Sequence, residues 1–474
     1  MAISKITASG VATDTLTAAD IADDAIGTAE LANDVTISTS GNIATTGSGT
    51  LSVAGTSTLT GNVTAAGTHA VTGNATVGGT LGVTGNATAS GNLTVTGDIV
   101  PSTPFSHRNL IINGGMQVWQ RATAATTASA YDTVDRWKMN NGSNGAMTSQ
   151  RHTMSLAELN TTGHNYALQL DVTTVDTSIA AGQYVYFYQR IEAQDLQHLQ
   201  YGTANAKTIT LSFWVKSNKT GTYTVNFRKT DTTQYFCPIE YTISSANTWE
   251  QKKITITPTA GSTSLITGAG GIIANDNGDG LQLSFGLTWG STYHGTNNTW
   301  SASASYATSN QVNWMDSTSN NFYLTGIQLE VGSNATPFEH RSYADELGRC
   351  HRYYQLLTKS NGSAAQVIAS GYNYSGSEAD CQIHLVTPMR ANPSLEQDTG
   401  SNFCNWHSGS SIGVSGLSGI QHPAPGAYAT SAPKGEVAMV NSYLSGLSLT
   451  SGNGGMFRQS GASAGSKIAL SAEL

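Results

Sequence analysis

"KTITLSFWVKSNKTGTYTVNFRK", residues 207–229, alternates apolar and polar side chains on both sides of a Ser-Asn-Lys-Thr-Gly break. A period of two places every second side chain on one face of an extended chain, and the Asn and Gly of the break suit a turn. The stretch therefore reads as two half-buried strands joined as a hairpin. "WEQKKITITP" (249–258) and "LQLSFGLTW" (281–289) repeat the alternation. Short strands between frequent turn signals predict one jelly-roll-like β-sandwich over residues 105–341.

The wider composition agrees with a mostly β chain. Of 474 residues only 11% are charged and 51 are glycine. Such a chain favours short strands punctuated by turns over long amphipathic helices. The net charge of -8 is mostly local: residues 1–104 hold seven acids against Lys5, a net -6. No basic field exists to attract nucleic acid. No run of 18 apolar residues occurs, so no helical membrane insertion is expected. "MAISKITASGVATD" lacks the apolar core of a secretory signal, which predicts synthesis and assembly in the cytoplasm. On that reading the Asn-x-Thr sequons, Asn62 and Asn218 among them, are by-products of composition. Cys237, Cys350, Cys381 and Cys404 are scattered without a CxxC pair and read as reduced packing residues.

Every Phe, Trp and Tyr lies at or after Phe105. Before it, glycines at 49, 55, 61, 67, 73, 79, 85, 91 and 97 keep an unbroken period of six. Six is even, so small aliphatic residues two and four places after each glycine stay on one side of an extended chain. One or two aliphatic side chains per hexad, each contributing about 1.5–3 kcal/mol, do not offset ordering costs of about 1–2 kcal/mol per residue. Three chains sharing one thin core would close that deficit. Residues 41–104 are therefore expected to be an intertwined trimeric β-shaft, with a single-chain solenoid or a linker as alternatives. Residues 1–40, where Leu16, Ile21, Ile26 and Leu31 recur five apart, form an attachment or capping segment or a solvated arm.

"SYADELGRCHRYYQLL" (342–357) opens with Ser342 and Asp345 at capping-box spacing. Leu347, Cys350 or His351, and Tyr354 then fall on one stripe. That stripe predicts a connecting helix packed in a three-helix bundle around a shared axis. Residues 358–474 return to alternation in "AQVIASGYNY", "CQIHLVTP", "GEVAMV" and "SKIALSAEL", and are expected to be a terminal β tip domain.

No motif announces catalysis. "GSSIG" around Ser411 and "GASAG" around Ser463 lack the strand-to-helix setting of a nucleophile elbow. Glu378 with Asp380, and Glu396 with Asp398, could pair as glycosidase carboxylates but sit in polar, loop-like surroundings. No histidine spacing fits a metal centre and no glycine-rich phosphate loop appears, so no cofactor is expected. "NDNGDG" copies the first half of a calcium loop through Asn275, Asn277 and Asp279, but Gly286 stands where the bidentate Glu belongs. These residues serve a turn equally well. The chain is thus expected not to be an enzyme. For ligands, Tyr372, Tyr374, Trp406, His407 and Tyr428 lie among Gly, Ser and Asn, and aromatic faces beside such donors suit sugar rings.

Longer strings carry a resemblance. "RNLIINGGMQVWQR" (108–121), "YDTVDRWKM" (131–139), "LSFWVKSNKTGTYTV" (211–225), "FYLTGIQLEVGSNATPFEHRSYADELGRCHRYYQ" (322–355) and the ending "IALSAEL" closely resemble bacteriophage tail fibre proteins, particularly of marine podovirus type. The resemblance is strong over about residues 105–358 and loose at the C-terminal end. It implies a homotrimeric virion fibre, its N-terminal part toward a tail or adaptor protein and its C-terminal part toward the host. The middle sandwich looks like carbohydrate-binding modules. No catalytic residue carries over. The resulting expectation is adhesion to a host surface polysaccharide or lipopolysaccharide. A tailspike-like degrading enzyme and a purely structural connector binding another virion protein remain the alternatives.

Overall fold

The computed structural model describes residues 56–57, 62–64, 68–95, 106–359, 367–397, 404–409, 411–414, 419–421, 437–459 and 467–474. Side chains are not described at 404–405, 411–414, 419–421, 437–441 and 459. The chain divides into two compact units, residues 1–94 and 95–474. In the first, the described hexads form no strand and every described residue is exposed. Val63, Val71, Val77, Leu81, Val83 and Leu93, the aliphatic hexad positions, are 50–76% exposed. One chain by itself thus leaves the aliphatic stripe uncovered there. The attachment segment of residues 1–40 lies outside the described residues.

The second unit is mostly β. Its first eleven strands are β1 (Thr126–Thr127), β2 (Lys138–Asn141), β3 (Ala146–Thr153), β4 (Tyr166–Thr174), β5 (Tyr184–Glu192), β6 (Ile209–Ser217), β7 (Gly221–Lys229), β8 (Tyr235–Ile243), β9 (Glu250–Ile256), β10 (Asp279–Trp289) and β11 (Asn321–Val331). They form two antiparallel sheets, one in the order β1-β3-β4-β11-β6-β9 and the other β2-β5-β10-β7-β8. The facing sides bury Trp137, Phe187, Phe213, Phe227, Phe285 and Phe322 in one core. Phe187 stacks on Phe285 at 5.3 Å, and Phe213 meets the same ring edge-on at 5.1 Å. Each such side chain contributes about 1.5–3 kcal/mol on burial. The expected sandwich is present.

The opening stretch is not a hairpin. β6 and β7 are consecutive in sequence but belong to opposite sheets: β6 pairs with β11 and β9, β7 with β10 and β8. The break is an arch across the core. Asn218 and Asn321 exchange side-chain-to-backbone hydrogen bonds (3.2 and 2.8 Å), and the Tyr223 hydroxyl donates to the Lys219 carbonyl at 2.8 Å. Gly221 has φ 127°, and a Cβ there would lie 2.5 Å from Val312 Cγ1. Glycine is what lets the chain change sheets.

Helix α1 (Leu156–Thr162) is closed by a capping box between Ser155 and Glu158. Helix α2 spans Tyr343–His351, shorter than residues 342–357, with Ser342 accepting from the Asp345 amide at 3.2 Å. Its buried residues are Glu346 and Cys350, and the Glu346 carboxylate accepts the Asn113 amide of the same chain. Of the expected stripe on the helix, Cys350 is thus buried within this chain, while Leu347 and His351 stay half-buried. Tyr354 is not on the helix: it begins β12 (Tyr354–Lys359), which pairs with β21 (Lys467–Ser471).

The remaining strands are β13 (Val367–Asn373), β14 (Glu378–Met389), β15 (Ser394–Gln397), β16 (Cys404–Ser408), β17 (Ser411–Val414), β18 (Gly419–Gln421), β19 (Val437–Ser445) and β20 (Gly454–Gln459). They build a three-stranded sheet β12-β21-β15 and a seven-stranded sheet β17-β16-β20-β13-β14-β19-β18, around a second core of Ile383, Trp406, Leu444, Phe457, Ile468 and Leu470. This C-terminal part is bolted to the sandwich. Arg390 donates to the carbonyls of Asn277, Ala472 and Glu473, at 2.7–3.1 Å.

Candidate functional site

The outward face of the five-stranded sheet gathers many rings: Tyr184, Tyr186 and Tyr306 are half-buried there, and Tyr188, Phe236 and Trp289 are buried at 3–7% exposure. β5 reads Tyr-Val-Tyr-Phe-Tyr-Gln-Arg-Ile-Glu: Val185, Phe187 and Ile191 enter the core, so Tyr184, Tyr186, Tyr188 and Arg190 face out. Register extends this face across the sheet. Arg190, Gln282, Arg228 and Phe236 form one cross-strand row over β5, β10, β7 and β8. Tyr188, Ser284, Asn226 and Pro238 form the next, and Tyr186, Gly286, Thr224 and Glu240 the third.

The small residues of β10 leave a trough that rings fill. A register shift after Gly286 turns Trp289 back over the strand, where a Cβ on Gly286 would lie 2.5 Å from Trp289 Nε1. Trp289 stacks on Tyr186 and on Tyr306, each at 4.5 Å. Tyr188 stacks on Tyr186 at 5.5 Å, and Phe236 closes the other end edge-on to Tyr306 at 5.0 Å. The result is a rigid aromatic row with tyrosine hydroxyls along it. Burial pushes the Tyr186 and Tyr306 phenols above their usual range, so both stay protonated at neutral pH and can donate as well as accept. The Tyr186 hydroxyl already accepts from Asn140 Nδ2 at 2.8 Å.

Polar atoms on this face are incompletely paired. Arg190 meets Asp279 at 3.2 Å, while the other Asp279 oxygen is buried without a hydrogen-bond partner. Burial raises the Asp279 carboxyl, with Arg190 opposing the rise. Arg228 Nε, Asn226 Oδ1 and Gln311 Nε2 are likewise buried without partners. Such atoms are costly unless something satisfies them.

The described residues expected at the tip lie close together, Tyr372 on β13 with Tyr374 just after it, and Trp406 and His407 on β16, both strands pairing with β20, but they differ in exposure. Trp406 is fully buried, its Nε1 donating to Asn373 Oδ1 at 2.7 Å, with Gly455 packed beneath the ring. The Gly- and Ser-rich neighbourhood that suggested a loop is strand, so Trp406 is a core residue and not a ligand contact. Tyr372 and Tyr374 are exposed, at 49% and 61%. His407 is half-buried, on the strand neighbouring β20, its imidazole lowered by burial and Arg458. Tyr428 lies outside the described residues.

Two residues of the half calcium loop have other partners. Asn277 gives its amide to the Arg390 carbonyl and Asp279 faces Arg190, so the turn joins the two β parts. Among the described residues no three His, Cys, Asp or Glu side chains gather as a metal site. Glu396 pairs with Lys467 at 3.5 Å, and Ser411 begins a strand. Asp398 and Ser463 lie outside the described residues. A cavity of about 550 Å³ lies between α2, β12, β13 and β14 and is lined by His351, Gln355, Ile383 and His384 among others.

Known proteins enter only at the level of structure. No family model and no curated protein sequence matches. Among solved structures, the enzymatically active domain of bacteriophage CBA120 tailspike protein 4 is 12% identical, with 47% of this chain and 21% of that one covered at a TM-score of 0.25. This chain thus spans about a fifth of that domain. A putative sugar binding protein from Bacteroides thetaiotaomicron is 13% identical, over 48% of this chain and all of the other, at a TM-score of 0.27. A family 11 carbohydrate-binding module of a Clostridium thermocellum cellulase is 11% identical, over 45% and 98%, at 0.23. These likenesses assign no role to any residue. One expectation is corrected by them: a tailspike enzymatic domain stands among the similar structures, so the chain is not classed as a non-enzyme.

Proposed function

We propose that the chain is part of a virion fibre that binds host surface polysaccharide or lipopolysaccharide through the aromatic face of its sandwich. The observation that carries this reading is the pair of half-buried rings Tyr186 and Tyr306, held by stacking on the buried Tyr188 and Trp289 and flanked by Arg190, Arg228 and unpaired polar atoms on an outward sheet face. Apolar rings meet the CH faces of sugars, and hydroxyl, amide and guanidinium groups meet their hydroxyls. The resemblance of residues 105–358 to tail fibres supplies the setting, in the virion tail with a tail or adaptor protein at the N-terminal end. Exposed Val63, Val71, Val77, Leu81, Val83 and Leu93 support a homotrimer, because sister chains would cover them. Three weak sites on one fibre gain avidity once the first engages.

The test is retention of the full chain on a panel of immobilised bacterial polysaccharides, with its mass in solution measured alongside. Retention by a species of three chain masses, abolished by Tyr186→Ala with Tyr306→Ala, is expected. A monomer that is not retained would overturn the proposal. Shortening of the polymer during incubation would replace adhesion by cleavage.

A further inference from the structure

Arg190 and Arg228 stand in one cross-strand row, separated only by Gln282 of β10. Neighbouring strands are about 4.8 Å apart, so their backbones are about 10 Å apart and their side chains leave from the same face. They lie close enough together that both act electrostatically on the Tyr306 hydroxyl. Lys138 of β2 is paired with Tyr188 in the adjacent row.

The local charges do not balance. Lys138, Arg190 and Arg228 face two carboxylates: Asp279, which pairs with Arg190 at 3.2 Å and also feels Arg228, and Glu240, two rows away, which accepts from Asn310 at 3.0 Å. Arg228 forms no ion pair among the described residues, and its Nε is desolvated with no acceptor. Its guanidinium lies 5.7 Å from the Phe236 ring centroid, a contact that consumes none of its N–H donors. Their planar fork matches a carboxylate, phosphate or sulfate.

We infer that the aromatic face selects glycans bearing an anionic substituent, held by Arg228 beside Phe236 and Arg190 beside Tyr188. The inference rests on the reading of this face as the glycan site. The rings supply stacking for the sugar, and the guanidiniums fix its register by one acidic group. Gln282, whose Oε1 accepts from Arg190 Nε at 3.3 Å and whose Nε2 donates to Ser284 at 2.8 Å, holds Arg190 upright in the row.

The test uses the full chain and three acidic polymers, alginate, polygalacturonate and hyaluronan, each beside its carboxyl-reduced neutral form. Neutral dextran, galactan and xylan complete the set. Binding of at least one acidic polymer is expected, about tenfold weaker for its reduced form and about tenfold weaker for Arg228→Gln, since charge-assisted hydrogen bonds carry effects of that size. Arg228→Lys should recover part of the loss, and Arg228→Gln should leave the melting temperature unchanged. Equal binding of the acidic and reduced forms overturns the inference and leaves the glycan reading intact, as does binding of neutral polymers alone. Acidic binding that Arg228→Gln does not weaken also overturns it. Binding of none of the polymers overturns both.

Discussion

The Arg121 guanidinium donates to the Glu473 carboxylate at 3.1 Å, joining residues 352 apart in the chain. Arg136 donates to the other Glu473 oxygen, and Arg121 also pairs with Asp135 at 3.1 Å. All four side chains are almost fully buried. Arg121 lies 3.6 Å over the Tyr354 ring and Arg136 3.3 Å over that of Tyr353. Tyr353 and Tyr354, which follow α2, and Glu473 are thus clamped against the sandwich by one charge network.

Breaking one partner of that network strands buried charge. Glu473→Ala is expected to cost about 3–5 kcal/mol, because two desolvated guanidiniums lose their shared acceptor. Urea unfolding of the wild type and variant measures it; a loss below 1 kcal/mol would mean solvent reaches the arginines.

The arch predicts a second cost. Gly221→Ala forces a side chain onto φ 127° and against Val312, and should destabilise by about 1–3 kcal/mol. Had residues 207–229 been a free hairpin with an adaptable turn, the same substitution would be nearly neutral in thermal melting.

An acid-sensitive element is also expected. His164 is buried against Phe338 at 4.6 Å and His340 at 5.4 Å, and burial, followed by His340, depresses its imidazole to about 4. The unfolded chain therefore binds a proton that the folded chain refuses between about pH 6.5 and 4. About 3 kcal/mol of stability, full above pH 6.5, is lost as pH falls towards 4. His164→Gln should flatten the dependence of melting temperature on pH across that window; an unchanged slope would assign it to other groups.

Gly286→Ala separates site from fold. The methyl group would collide with Trp289, so the ring must leave the row. Polysaccharide affinity should fall about tenfold while the melting temperature drops by a few degrees. Unchanged affinity would mean that Trp289 is not part of the binding surface.

Much of this fold was legible because strand periodicity is local. Alternation in 207–229, 249–258 and 281–289 marks strands that are all present. Partner choice was not legible: a Gly-containing break suits a hairpin or an arch, and only the pairing of β6 with β11 and of β7 with β10 separates them. The helix was overextended for the same reason. Tyr354 continues a helical stripe in sequence, but pairing with Ser471 draws it into a sheet. At the site, the pattern Tyr184-x-Tyr186-x-Tyr188-x-Arg190 was the available signal, since alternation puts all four on one face. Attention to loop-like aromatics led instead to Trp406, whose strand pairing hides it in a core. Arg228 joins the site only through register with Gln282, which no single stretch reveals.

The central claim is that the sandwich face, not the terminal sheet, holds the glycan. It is tested most directly by comparing two double variants of the full chain, Tyr186→Ala with Tyr306→Ala and Tyr372→Ala with Tyr374→Ala, for retention on a polysaccharide that binds the wild type. The account predicts that the first pair abolishes retention and the second leaves it within about twofold, well below the tenfold change of about 1.4 kcal/mol. Loss of retention in the second pair with the first unaffected would contradict it.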